Sequence, residues 1–419
     1  MALGGVMEKV ESKRVPILFV HYGEDWIRGS ERCLLDLLKC LNKKTFKPIV
    51  WCNSQIMAAQ VRRLGVTTYC QPFTLLLGWH KPFFDFNGFR QLIHRGETLV
   101  DRHHVKIIHS NSGGPCQWLN FVARKRQIPL LAHLHCRYPL RDRFTLGLHW
   151  VTKSIAVSQP IARQLLDDSV RKDRVEVISN GIDSARLCPE QVIDIRQLLG
   201  FDAGDIVLFS TGSLIERKGM DLIISAIGKA RLQYPHIKLV IAGSGECHEQ
   251  LCQQIEAFEL QDSVFLLGER DDVPSLLQGG IDIFISGARE EVFGLVLAEA
   301  GLHGIPVIAP RVGGIPEVIQ DGETGILVEP NDIMHLAQAI EKLVSRPNLR
   351  KQLGNAAKAY VEERFLIERN VAQFERCYCD LVKQHQATNT VALKQGWWLG
   401  LKSLIHFIAK LWRGQLIKQ

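Results

Sequence analysis

Short apolar runs alternate with helical segments along most of this chain, and that alternation limits the possible folds more than any other feature. Runs of strand type occur at 15–20, 47–51, 66–70, 105–109, 128–135, 153–158, 206–210, 237–245, 263–268, 281–286, 306–309 and 324–328. Strands joined through helices lie parallel, in sheets covered by helices on both faces. We therefore predict an α/β fold of doubly wound type, in which ligands bind at the carboxyl ends of the strands.

Length and composition narrow the class of protein. A chain of 419 residues is long enough for two domains, and 46% hydrophobic with 23% charged residues is ordinary for a soluble globular protein. The net charge of +7 is compatible with an anionic ligand or membrane surface, and we predict no nucleic-acid partner. Eleven scattered cysteines without a CxxC pair, and no signal-peptide core, predict a cytoplasmic location.

The stretch 287–317 carries the strongest functional signal. Helical spacing is predicted from Phe293 onward, which would place Glu291 and Glu299, eight residues apart, on one face of a helix. Two glutamates at this spacing often lie on a solvent-exposed helix face with no ligand, but apolar residues surround this pair in the sequence. The loop 287–291 would present backbone N–H groups at the positive end of the helix. Carboxylate acceptors beside an anion-binding helix start suit a ligand with hydroxyls and phosphate, such as a nucleotide sugar.

This region resembles a known family. The run EEVFGLVLAEA, followed by GIPVIAPRVGGIPEVIQDGETGILVEPND, is similar to the C-terminal half of the GT-B glycosyltransferases of family four, which includes many retaining sugar transferases. The resemblance extends over residues 15–384 and is strongest from 205 to 332. It implies two Rossmann-like domains facing a cleft. It also implies that Glu291 contacts the donor sugar and assists catalysis, that Glu299 accepts the ribose hydroxyls, and that no metal or other cofactor is needed.

On this basis the chain is divided into six segments. They are an N-terminal tail (1–14), a first, acceptor-side domain (15–184), a linker (185–203), a second, nucleotide-sugar-binding domain (204–364), a helix crossing back to the first domain (365–384), and a C-terminal extension (385–419).

Two loops of the first domain are candidate donor contacts. Gly29 lies in a small-residue loop before a helix for which Ser30 is the predicted N-cap, and the loop resembles the family's GGxE motif with Arg28 in place of the first glycine. His135 is a candidate catalytic residue, because it resembles the family histidine that contacts the donor sugar. A lone histidine is more often structural, and His133, which shares its face of the strand, is a lesser candidate.

In the second domain, Arg217 and Lys218 follow a strand at a glycine-bearing turn. They are either a solvated basic turn or two cations that would stabilise the charge on a leaving nucleoside diphosphate. The motif resembles the family's GRLxxxKG, with Ser213 where the family has arginine, and whether Arg217 replaces that charge stays open.

Further donor contacts are implied along the same edge. Ser244 and Gly245 resemble the family's turn that lines the nucleotide pocket, and Gly268 ends a strand that resembles its base-contacting segment. The backbone of Val292, Phe293 and Gly294 would lie over the sugar and phosphate. The pair 271–272 is interpreted as acidic residues at a helix start, not as a metal motif.

The resemblance implies transfer of a sugar from a UDP- or GDP-sugar to a hydroxyl of a glycan or lipid-linked acceptor in cell-surface polysaccharide biosynthesis, with retention of the anomeric configuration. A nucleotide-sugar epimerase of the same fold and a non-catalytic, membrane-associated sugar-binding protein are the alternatives. Release of nucleoside diphosphate from the donor would distinguish the transferase from both alternatives.

The C-terminal segment 396–413 has an apolar stripe rich in tryptophan and leucine opposite Lys402, His406, Lys410 and Arg413. This pattern is typical of an interfacial helix on anionic lipid, and also of a helix that docks on its own protein. We predict peripheral association with the inner face of the membrane.

Overall fold

The computed structural model describes residues 14–79 and 81–387. These residues divide into two compact units, the first formed by 14–156, 162–176 and 371–387 and the second by 157–161 and 177–370. The predicted amphipathic segment 396–413 lies outside the described residues. Among the described residues, no helix combines the length and apolar character needed to cross a bilayer.

The first unit is built on a seven-stranded sheet. Its strands are β1 (Val15–His21), β2 (Phe46–Cys52), β3 (Thr67–Cys70), β4 (Ile107–Ser110), β5 (Leu130–Leu134), β6 (Lys153–Ala156) and β7 (Val175–Val177). Their order is β3-β2-β1-β4-β5-β6-β7, and the pairs from β3 through to β6 are parallel. The order reverses between β1 and β4, and this is the topological switch point at which open α/β sheets place their ligand sites.

Helices alternate with these strands, as parallel pairing requires. They are α1 (Gly29–Cys40), α2 (Gln55–Arg63), α3 (Phe86–His103), α4 (Cys116–Arg126), α5 (Leu140–Thr145) and α6 (Gln159–Asp167), with 3₁₀ turns at Leu148–Trp150 and Lys172–Arg174. The predicted cap of α1 is wrong, because the helix begins at Gly29 and its N-cap is Arg28, which places Ser30 inside the first turn.

The second unit carries a six-stranded sheet. Its strands are β8 (Ile206–Thr211), β9 (Ile237–Ala242), β10 (Val264–Leu266), β11 (Ile283–Ile285), β12 (Val307–Pro310) and β13 (Gly325–Val328). The order is β10-β9-β8-β11-β12-β13 and every pair is parallel. The predicted α/β class with two Rossmann-like domains is therefore confirmed, and the strand predictions are met to within a few residues at their ends.

The helices of the second unit are α7 (Ser184–Leu187), α8 (Ile195–Leu199), α9 (Met220–Ala230), α10 (His248–Ala257), α11 (Val273–Leu277), α12 (Leu295–Leu302), α13 (Ile315–Val318), α14 (Ile333–Val344), α15 (Pro347–Arg364) and α16 (Ile367–Ala387), with a 3₁₀ turn at Glu216–Lys218. The last helix, α16, contributes residues to both units. Asp332 caps α14 as predicted, by accepting a hydrogen bond from the backbone N–H of His335.

The segment predicted as a linker, 185–203, belongs to the second unit. Its backbone is attached there, since the N–H groups of Ile193 and Ile195 donate to the carbonyl oxygens of Ser275 and Gly279. The structure therefore places the boundary earlier than the predicted one, with residues 177–184 also in the second unit.

Candidate active site

The carboxyl edge of the second sheet brings together the loops that follow β8, β11 and β12. Lys218 and Glu291 meet there, with 2.7 Å between the Lys218 Nζ and the Glu291 Oε2. The other carboxylate oxygen of Glu291 accepts a hydrogen bond from the backbone N–H of Val292 at 3.0 Å. These two residues are 73 positions apart in sequence, and the order of the strands makes them neighbours, because β8 pairs with β11.

The charge state of Glu291 follows from these contacts. Burial alone would raise the pKa of its carboxyl, but the Lys218 ammonium, the Arg217 guanidinium and the N–H of Val292 together hold it below its ordinary value. Glu291 is therefore an anion at neutral pH, and the local positive charge is supplied by both basic residues, with the larger effect from Lys218. Arg217 also donates from Nη1 to the carbonyl oxygen of Glu290 at 3.1 Å.

Glu291 does not lie on a helix, so the prediction that it shares a helical face with Glu299 is wrong. The helix α12 begins at Leu295, and Gly294 precedes it with a φ of 99°. A left-handed residue at this position ends the preceding loop and turns the chain into the helix, a conformation that glycine adopts without steric cost. Glu291 is thus a loop residue near the first turn of α12, where unpaired backbone N–H groups favour an anion.

Close backbone packing fixes the loop that carries Glu291. A Cβ at Gly313, where φ is 51°, would lie 1.7 Å from the carbonyl oxygen of Glu291, and one at Gly219 would lie 1.9 Å from that of Gly287. The backbone N–H of Gly314 donates to the Glu291 carbonyl at 3.1 Å. Glycine is therefore required where these loops touch, and the Glu291 backbone has little room to move.

A group that sequence reasoning did not single out, Arg289, joins the two loops. Its guanidinium forms two hydrogen bonds with the carboxylate of Asp221, at 2.8 and 2.6 Å, and Nη1 also donates to the carbonyl of Glu216 at 2.7 Å. Its backbone N–H donates to the carbonyl of Arg217 at 2.8 Å. The residues that flank Lys218 are thereby bound to those that flank Glu291. No local motif marks Arg289, because its partners come from another loop.

Three further predicted contacts of this unit lie in two places. Ser244 and Gly245 follow β9; the Ser244 hydroxyl donates to Glu269 at 2.8 Å, and a Cβ at Gly245 would lie 2.4 Å from the Leu214 carbonyl. Gly268 follows β10 and accepts a backbone hydrogen bond from Gly243 at 2.7 Å. These positions line the same carboxyl edge.

Glu299 lies on α12 and is bound by a partner that the sequence did not reveal. Arg186 Nη2 donates to Glu299 Oε1 at 2.9 Å. A carboxylate can accept about four hydrogen bonds, so this contact leaves acceptor capacity for hydroxyl groups. Phe293, in contrast, is a core residue, 2% exposed and packed edge-on against Phe365, so its side chain does not face a ligand.

In the first unit, His135 follows β5 and belongs to a polar network at the carboxyl edge of the sheet. Its Nε2 lies 3.2 Å from Asn111 Oδ1, and Asn111 Nδ2 lies 3.1 Å from His21 Nδ1. His21 Nε2 lies 3.0 Å from Glu31 Oε1. Burial lowers the pKa of His135 to about 3, so its ring is neutral at physiological pH. The sequence did not predict this network, because its members lie at or beyond the ends of three different strands.

Gly29 and His133 occupy different positions relative to this network. Gly29 is the exposed first residue of α1, two positions before Glu31. His133 is 2% exposed, its ring lies 4.9 Å from that of Phe374, and neither ring nitrogen has a hydrogen-bond partner. Burial lowers the pKa of His133 well below its ordinary value. His133 is thus a core residue of the first unit.

Within the described part of the chain, no group of three or more His, Cys, Asp or Glu side chains is arranged to hold a metal ion. Asp272 precedes α11 and is bound by Arg270, at 2.8 and 2.6 Å. Independence from metal stays a prediction.

Comparison with known proteins agrees with the two-domain architecture. The family described as "Glycosyl transferases group 1" matches residues 191–360, and "Glycosyltransferase Family 4" matches residues 27–186. The N-acetyl-alpha-D-glucosaminyl L-malate synthase of Bacillus anthracis is 30% identical over 296 residues, which cover 68% of this chain and 77% of that protein. The alpha-D-kanosaminyltransferase of Streptomyces kanamyceticus is 31% identical over 268 residues, 59% of this chain and 69% of that one.

Among solved structures, Alr3699/HepE of Anabaena, determined with UDP and glucose, superposes with a TM-score of 0.75 at 23% identity, over 88% of this chain and all of that chain. The fold is thus that of the GT-B glycosyltransferases. The chain belongs to the group 1 glycosyltransferases of family four, and it is a transferase.

Proposed function

We propose that this chain transfers a sugar from a nucleoside-diphosphate donor, a UDP- or GDP-sugar, to a hydroxyl group of a glycan or lipid-linked acceptor of cell-surface polysaccharide. The observation that carries the proposal is the Lys218–Glu291 pair beside the start of α12. A fixed cation and backbone N–H groups are suited to the diphosphate, and an adjacent carboxylate is suited to sugar hydroxyls.

In the proposed reaction, the bond between the anomeric carbon and the diphosphate oxygen breaks while the acceptor oxygen forms a new bond on the same face of the sugar. The acceptor proton passes to the departing diphosphate, and the configuration is retained. Lys218 and Arg217 stabilise the charge that develops on the diphosphate, which is the largest contribution that a preorganised site makes. Glu291 orients the sugar, and Glu299 accepts hydrogen bonds from the ribose.

The family resemblance supports His135 and the Gly29 loop as donor contacts supplied by the first unit. We propose further that no metal is required, since Lys218 and Arg217 neutralise charge on the leaving group. Peripheral membrane association through 396–413 on the cytoplasmic side is part of the same proposal, and its support is the amphipathic pattern of that segment.

The experiment is a turnover assay with the full chain and a panel of donors that includes UDP-N-acetylglucosamine and GDP-mannose, with and without a lipid extract and with EDTA in a parallel series. Release of nucleoside diphosphate from one donor is expected. Glu291→Gln and Lys218→Met should each lower kcat by about 100-fold or more. The matched controls are Glu290→Gln and Lys229→Met, which alter exposed residues of the same unit and should leave kcat unchanged.

Several results would contradict the proposal. Conversion of the sugar without diphosphate release would indicate an epimerase, and full turnover by Glu291→Gln would remove that residue from the site. Loss of turnover in EDTA would contradict metal independence. Proton NMR of the product tests retention, since an anomeric coupling constant that indicates the inverted configuration would refute it. Equal sedimentation of the full chain and a chain ending at Gln384 with anionic vesicles would refute the membrane role of the C-terminal segment.

A further inference from the structure

The polar network of the first unit contains one group whose orientation is fixed by its surroundings, the side-chain amide of Asn111. Its Nδ2 lies 3.1 Å from the backbone carbonyl oxygen of Ser30. A carbonyl oxygen can only accept a hydrogen bond, so the amide must direct its NH₂ group toward Ser30. The reversed amide would place two acceptor oxygens in contact inside a buried region, which is costly. Asn111 is completely buried, so water cannot relieve that cost.

The direction of the amide determines where His21 carries its proton. The same Nδ2 lies 3.1 Å from His21 Nδ1, which must therefore accept and cannot be protonated. The proton of His21 is then on Nε2, where it donates to Glu31 at 3.0 Å. Glu31 is in turn held by the backbone N–H of Arg28 at 3.2 Å and by the hydroxyl of Ser30 at 3.1 Å.

The same reasoning applies to the other end of the amide. Asn111 Oδ1 can only accept, and it faces His135 Nε2 at 3.2 Å, so the His135 proton lies on Nε2. The second ring nitrogen, Nδ1, then carries a lone pair. A neutral histidine exposes either a donor or an acceptor to a ligand according to its tautomer, and the hydrogen bond at the opposite nitrogen selects which one.

We propose that Glu31, His21 and Asn111 are positioning residues that hold His135 in the Nε2–H tautomer, so that its Nδ1 accepts a hydrogen bond from a hydroxyl group of the sugar substrate. This inference rests on the proposed function for the identity of the ligand. It makes His135 a hydrogen-bond acceptor that orients the sugar. The Nε2 proton is committed to Asn111, so His135 does not donate a proton to the leaving group.

The first test needs no substrate. In the full chain labelled with ¹⁵N-histidine, the ¹⁵N shifts and long-range couplings of His135, assigned with His135→Gln, should report a protonated Nε2 and an unprotonated Nδ1. Asn111→Leu removes the acceptor and should give a mixture of tautomers at His135. Asn120→Leu is the matched control, because that amide binds Cys116 and Gly147 in the same unit and lies outside the network.

The second test uses kinetics with the donor found to be turned over. Asn111→Leu should raise the donor KM about three- to tenfold, the effect of one lost hydrogen bond, with a smaller change in kcat. In a His135→Ala background the same substitution should have no further effect, because a positioning residue acts only through the group that it positions. Asn120→Leu should leave KM unchanged.

A protonated Nδ1 on His135 in the unsubstituted protein, with His21 protonated on both nitrogens, would overturn the inference, because it is the pattern of the reversed amide. Additive effects of Asn111→Leu and His135→Ala on KM would overturn it as well. The expected tautomer together with an absence of sugar transfer would instead refute the proposed function and leave the positioning network in place. The direct measurement on the unsubstituted chain remains decisive if Asn111→Leu fails to fold.

Discussion

The charge of Glu31 provides a quantitative test of how the first unit is stabilised. Burial would raise the pKa of this carboxyl, but the hydrogen bond from His21 and the backbone N–H groups of Glu31 and Arg28 lower it from 4.5 to about 2. Because the folded pKa lies below the unfolded one, the contribution to stability is complete above about pH 5 and is lost as the pH falls toward 2. The shift corresponds to about 3 kcal/mol.

The perturbation is Glu31→Gln, which keeps one acceptor oxygen at this position, replaces the other with an NH₂ group and removes the titration. From the two pKa values, the unfolding free energy of the unsubstituted protein should fall relative to that of the variant by about 0.8 kcal/mol at pH 4 and about 1.4 kcal/mol at pH 3.5. Urea unfolding followed by tryptophan fluorescence is the assay. Of the eight tryptophans, the five within the described residues all lie in the first unit, and replacing Trp397, Trp398 and Trp412 with phenylalanine in every variant makes the signal report on that unit.

The control is Glu24→Gln, which changes an exposed carboxylate of the same unit and should follow the unsubstituted protein at every pH. If the curves for the unsubstituted protein and Glu31→Gln run parallel from pH 7 to 3.5, Glu31 has an ordinary pKa. The interaction with His21 would then contribute far less than the geometry indicates.

Two further predictions concern the loops that hold Glu291. Gly313→Ala would place a methyl group against the Glu291 carbonyl oxygen and should lower kcat/KM by at least about tenfold. Gly322→Ala is the control: this residue also has a positive φ but lies in open space, so the substitution should cost about 1 kcal/mol of stability and leave activity unchanged. Equal activity of the two variants would refute the argument from close packing. In Arg289→Lys, the lysine cannot form two parallel hydrogen bonds with Asp221, so kcat/KM should fall about tenfold with little change in melting temperature. Unchanged kinetics would show that this contact does not position the site.

Much of the fold was predictable from sequence because its signals are local. Apolar runs of strand length separated by helical segments determine a parallel sheet, and the structure has strands at all the predicted runs. The capping of α14 by Asp332 was also predictable, since an N-cap needs only a side-chain acceptor and a backbone donor a few residues away. The family motifs also predict Lys218 and Glu291 as candidate site residues.

Local reasoning failed where the outcome depended on backbone geometry. The apolar spacing from Phe293 onward predicted a helix that would include the glutamates at both ends of the motif. The left-handed Gly294 delays its start to Leu295, so Glu291 belongs to the loop. The N-cap of α1 differs from the predicted one for a similar reason: the chain becomes helical at Gly29, so Ser30 lies inside the first turn.

By itself, the sequence determined the α/β class, the alternation of strands and helices, and the identity of the family, because each depends on residues that are close together in the chain. Only the tertiary structure decided the partners of the candidate site residues: Lys218 with Glu291, Arg186 with Glu299, and Asn111 with His135. These pairs are separated by 73, 113 and 24 positions. The physical reason is that parallel strands bring loops distant in sequence to one edge, and the contacts made there set each group's charge and hydrogen bonds.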